Sequence, residues 1–199
     1  DSTPQLSRDP TTRSKGPFNA VQAGVEFKGG KITGLSDAQS RAVAAETLRT
    51  ESGGNKAGIA AENKQGFLGQ YQFGAEALAS AGLMDAEKVK AAKSQSKNWY
   101  SGGQKDFMAD PKNWKIEGGK AAFAGSKEIQ DKAFVDFTNN NIKAGIKAGA
   151  ISANDSPEKI ASYAKASHLV GAGGANNLFI RGIDKEDAHG TKASTYAKQ

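Results

Sequence analysis

The stretch SDAQSRAVAAETLRTESGGN, Ser36 to Asn55, decides how the rest of the chain is read. Ser36 stands three residues ahead of Gln39, the reciprocal pairing that opens helices, and the residues after it reach Glu51 without Gly or Pro. The pattern predicts a helix from Ser36 to about Ser52, stopped by Gly53 and Gly54. Ala44, Leu48 and Glu51 fall at spacings of four and three, so the Glu51 carboxylate extends a stripe that begins as the apolar, core-facing side. Partial burial and the negative end of the helix dipole both push such a carboxylate toward its protonated form, which a general acid needs near neutral pH. Glu46 does not share that position, because five residues along a helix turn it away from Glu51.

Downstream, GFLGQYQFG runs from Gly66 to Gly74, three glycines framing Phe67, Gln70, Tyr71 and Gln72. Glycine lets a backbone approach a ligand, and amides with flat rings are the side chains that hold sugars. With these motifs the chain resembles the lysozyme-like superfamily, in particular goose-type lysozymes and soluble lytic transglycosylases. The family's Glu-Ser pair at a helix end is matched by Glu51-Ser52, and its Gly-Leu-Met-Gln turn by Gly69-Gln70-Tyr71-Gln72. Its Tyr-Asn-Ala-Gly helix end is matched by His168-Leu169-Val170-Gly171, with His168 for the usual Tyr and Leu169 for the usual Asn. Tyr196 stands where the family has a C-terminal cleft Tyr.

The resemblance implies a mainly α, lysozyme-like α+β fold: a helical bundle around a central helix, with a small β-hairpin lobe beside an active-site cleft. It implies cleavage of the β-1,4 bond between N-acetylmuramic acid and N-acetylglucosamine in peptidoglycan, with Glu51 as acid. Ser52, Gln70, Tyr71, Gln72, His168, Gly171 and Tyr196 would bind the glycan strand. Glu62, eleven residues after Glu51, is the candidate to hold an attacking water, which would make the enzyme a hydrolytic muramidase. Without that role, Glu51 alone would act as acid and then as base toward the substrate's 6-hydroxyl, giving the anhydro product of a lytic transglycosylase. A non-catalytic peptidoglycan-binding module is the reading from another class. No cofactor is expected. The implied setting is the bacterial periplasm or cell wall, reached as part of a larger secreted or delivered protein, with the chain a monomer and with room for an immunity or inhibitor protein as a partner.

Outside the motifs, residues 1–17 carry prolines, Ser and Thr and read as a linker, and residues 18–199 form the catalytic domain. Because the chain opens at Asp1 without Met, it is expected to be a piece or processed product of a longer protein. Val25-Glu26-Phe27 and Lys31-Ile32-Thr33 suggest a small hairpin, and residues 55–72 an irregular or hairpin region. Short helices are predicted from Gly74 to Gly82 and from Asp85 to Lys97, and a further turn from Gln104 to Ala109. Trp99, Tyr100 and Trp114 lie in or beside the breaks, where a ring either stacks on a sugar or covers core.

Ser126 to Ala148 carries the longest helical pattern, its buried stripe traced by Ala133, Phe134, Phe137 and Asn141. Asn139, Asn140 and Asn141 are poor helix formers within it. A last helix starts with Ser156 as cap and Pro157 in its first turn and is read as ending at Gly171, Gly173 and Gly174.

With 27 basic and 21 acidic residues the chain carries +6, which favours polyanions, but its lysines are scattered singly and do not form a nucleic-acid track. The absence of Cys excludes disulfides, thiolate metal sites and a Cys nucleophile, and the two His lack matched carboxylate spacing for a metal. No apolar run has the length to cross a bilayer, so membrane insertion is not expected.

Overall fold

A computed structural model describes residues 27–51 and 58–181. In order along the chain the helices are α1 (Asp37–Glu51), α2 (Ala75–Ser80), α3 (Ala86–Gln95), α4 (Gly103–Ala109), α5 (Gly119–Ala124), α6 (Lys127–Ala148) and α7 (Pro157–Arg181). Two 3-10 turns, Trp99–Ser101 and Pro111–Asn113, flank α4. The architecture is mainly helical. Among the described residues there is no sheet: residues 58–73 carry two isolated antiparallel bridges, Glu62 with Leu68 and Leu68 with Phe73.

The caps read from sequence at Ser36 and Ser156 form as hydrogen bonds, Ser156 Oγ accepting the Lys159 N–H at 3.2 Å. Gln39 N–H donates to Ser36 Oγ at 3.1 Å and Ser36 N–H to Gln39 Oε1 at 2.8 Å, closing a reciprocal box ahead of α1. Asp85 and Ser126 cap α3 and α6 by accepting backbone N–H groups of the first turn. Of the expected first hairpin, residues 25 and 26 lie outside the described residues, and residues 27–33 form no strand. They drape over two helices instead, with Ile32 N–H donating to Ser40 Oγ (2.9 Å) and Thr33 N–H to Asn139 Oδ1 (2.9 Å).

At the centre lies α6, packed against α7, α2 and α5. Its inward face holds Ala133, Phe134, Phe137 and Ile142, and Tyr71 stacks on Phe134 with ring centres 4.6 Å apart. Gly145 is required on this face, because a Cβ there would sit 2.5 Å from the Tyr163 ring. Trp99 and Trp114 belong to the core, and the Trp114 indole donates to the Met108 carbonyl at 2.7 Å.

The residue that binds these layers together is Asp131, fully buried on α6. Its Oδ1 accepts from Gln70 Nε2 (3.0 Å) and the Tyr71 hydroxyl (2.6 Å); its Oδ2 accepts from Lys28 N–H (3.0 Å) and Lys127 Nζ (2.6 Å). Neighbouring Gln130 accepts the Gln70 N–H at 2.9 Å and donates to the carbonyls of Ile59 (2.7 Å) and Phe123 (2.8 Å). Gly69 has φ +84, and a Cβ on it would fall 2.6 Å from Gln130 Oε1, so only glycine lets the loop close on α6.

Helix α7 is not straight. Gly171 (φ 76, ψ 172) interrupts it, in a region of backbone space held almost solely by glycine. A straight helix would separate Tyr163 from Phe179 by about 24 Å, yet their rings meet at 5.4 Å, and Asn176 Oδ1 lies 2.7 Å from the Tyr163 hydroxyl. The chain therefore reverses at Gly171, and the arm 172–181 folds back on the arm 157–170, with Leu178 against Leu169 and Val170. Gly173 and Gly174, read from sequence as stops, lie inside the returning arm.

Removing the Asp131 carboxylate leaves three neutral donors and one ammonium without their acceptor. Asp131→Ala is expected to lower unfolding free energy by about 3 kcal/mol or more, measured by urea unfolding at neutral pH. A loss under about 1 kcal/mol, the scale of an exposed pair, would remove Asp131 from this central place.

Candidate active site

Glu51 is the last residue of α1 and is only 2% exposed. Its neighbourhood follows from the register of α1 against α7. Gln39, Val43 and Glu46 line one pocket with Glu158, Ala161 and Lys165, and Glu46 and Arg49 both act electrostatically on Lys165. The two helices thus run side by side in one direction. Continued by one turn, that register brings the end of α1 level with residues 168–171, where α7 reverses. Ser52, next to Glu51, and Tyr196 lie outside the described residues.

His168 is buried among three rings, with centre distances of 6.2 Å to Phe73, 5.2 Å to Phe134 and 5.4 Å to Phe137. Neither ring nitrogen has a hydrogen-bond partner. Burial pushes the imidazole down to about 3; the Tyr71 backbone acts the other way without reaching hydrogen-bond geometry. His168 therefore stays neutral near pH 7, without the second ring proton of an imidazolium.

The 66–74 turn does more holding than expected of it. Gln70 and Tyr71 are 2% exposed and give their polar groups to Asp131. Burial first, then the Asp131 carboxylate, hold the Tyr71 phenol well above its usual range. Gln72 is fully buried with φ 54; its Nε2 donates to the Gly69 carbonyl at 2.9 Å, and its Oε1 has no partner. Gln70 and Tyr71 anchor the loop to α6, while Gln72 ties the loop to its own backbone.

Glu62 stands on the same loop, its side chain 20% exposed. Lys120 Nζ lies 2.5 Å from Oε2, an ion contact outside hydrogen-bond geometry, and Lys105 Nζ lies 3.7 Å from Oε1. Both carboxylate oxygens therefore face an ammonium group. Tyr100 is the exposed ring of the region at 43%, stacked on Phe67 with ring centres 6.1 Å apart.

The sequence reading passed over Gln104, Gln130 and Asp131, all buried. Gln104 accepts the Ala75 N–H at 3.0 Å and donates to the Gln65 carbonyl at 3.0 Å, fixing the turn from outside as Gln130 does from inside. One signal existed: Gln130, Phe134, Phe137 and Asn141 share one stripe, and a polar residue at such a position has to be satisfied within the fold.

Among the described residues no group of His, Asp and Glu could hold a metal ion, and no helix is long and apolar enough to cross a membrane. Compared with known protein families, curated proteins and solved structures, the chain matches nothing.

The His168 ring gives the fold an acid limb. The unfolded chain takes the proton near 6.5 and the folded one only near 3. Stability therefore falls as pH is lowered through that window, by about 1.4 kcal/mol per unit from this group. His168→Leu is expected to flatten that limb, as read from urea midpoints across the window; an unchanged slope would contradict the assignment.

Proposed function

We propose that this chain has a lysozyme-like fold and cleaves the glycan strands of peptidoglycan at the β-1,4 bond between N-acetylmuramic acid and N-acetylglucosamine, acting in the bacterial periplasm or cell wall. The observation that carries the reading is Glu51: a carboxylic acid 2% exposed at the C-terminal end of a helix. In its protonated form it donates a proton to the leaving glycosidic oxygen as positive charge develops at the anomeric carbon. The ionised Glu51 then takes a proton from the incoming nucleophile.

That nucleophile distinguishes two outcomes. Water, held by Glu62 on the opposite face of the sugar, makes the protein a muramidase. The substrate's own 6-hydroxyl makes it a lytic transglycosylase, and this second reading is favoured by the pairing of Glu62 with Lys105 and Lys120. The two ammonium groups compete with a water for the positions around that carboxylate.

Mass spectrometry of fragments released from purified peptidoglycan tests both. Glu51→Gln is expected to lower release about a thousandfold, the range for loss of a general acid. Reducing ends that disappear in Glu62→Gln support hydrolysis, whereas anhydro ends that persist in Glu62→Gln support transglycosylation. Absence of any release by the parent protein overturns the enzyme reading in favour of a binding module.

A further inference from the structure

Between α2 and α3 lies a second cleft, of about 260 Å³, lined by residues that none of the chemistry above uses. One wall is a partly buried ion pair, Lys93 Nζ to Glu76 Oε1 at 2.6 Å. The other oxygen of Glu76 is buried without a hydrogen-bond partner. Along α3 from Lys93, Glu87 and Lys90 are exposed, one helical turn apart, and make no ion pair among the described residues. Ala79 and the buried Val89 supply an apolar floor. At one end Lys93 lies 5.5 Å over the exposed Tyr100 ring, so the cleft opens onto an aromatic surface.

We propose that this cleft binds a peptide end carrying both an amine and a carboxylate. A ligand of a single charge would meet a repelling group as well as an attracting one. A zwitterion satisfies both, with its amine toward Glu87 and its carboxylate toward Lys90 and Lys93. The volume suits one or two residues. The choice of the wall's stem peptide as the occupant rests on the proposed glycan-cleaving function, since the diamino acid of that peptide carries both groups on one residue; the preference for a zwitterion does not depend on it.

The test is an amide-resolved NMR titration of the full chain with a sugar-free stem tetrapeptide containing diaminopimelate. Saturable shifts confined to residues 76–100 are expected. Lys90→Glu and Glu87→Lys, both at exposed positions, should each weaken binding about tenfold with unchanged melting temperature. The same peptide with its amines acetylated and carboxyls amidated should give no saturable shift. Absence of saturation with the free peptide, or equal binding of the blocked one, overturns the proposal. Glu51→Gln keeps the two readings apart: it should abolish glycan cleavage and leave the peptide shifts intact. Peptide binding by a parent chain that cleaves no glycan would sink the enzyme reading and leave this one standing.

Discussion

Everything described here hangs on a buried carboxylate that accepts from four donors. Asp131 draws in a backbone amide ahead of α1, an amide and a phenol from the 66–74 turn, and a lysine from its own helix. Taking a charge out of water is costly, and a hydrophobic residue of the same size would often give an equally stable core. What a hydrophobic residue would not provide is register. Four donors arriving at two oxygens allow one seating of the turn on α6, and Gln130 fixes the same turn at its backbone.

That seating brings the candidate site together from distant parts of the chain. Phe73, at the end of the turn, meets His168 from α7 and Phe137 from α6, and these rings form the layer beneath the reversal at Gly171. The end of α1 reaches the same level by its parallel register with α7. The two lysines that hold Glu62 come from α4 and α5, a separate part of the fold from the helices that set the level of Glu51.

Much of this was legible in the sequence. Local signals worked: the box at Ser36 and the cap at Ser156 carry their own hydrogen bonds, so a few residues suffice to read them. The α6 stripe was legible because its period is that of the helix. Long-range partners were not. Gln70 and Tyr71 looked like ligand-facing groups because their acceptor lies 60 and more residues away, on a helix whose charged positions resemble a solvated face. Asn139 reads in sequence only as a poor helix former, yet its Oδ1 accepts the Thr33 N–H, a partner 106 residues away. Gly173 and Gly174 looked like stops, but contacts of Leu178 and Phe179 with the preceding arm keep the helix going through them.

The Asp131 node also sets the order in which a nascent chain can acquire its shape. Its donors precede it by 103 residues at Lys28 and by 61 and 60 at Gln70 and Tyr71. During synthesis the entire first half, with Glu51 and the 66–74 turn, leaves the ribosome before the acceptor that fixes it exists. Contacts of such span form late and slow folding. The amino-terminal half therefore passes a translational interval with its aromatic turn unseated, and α6, made afterwards, is the template on which it settles.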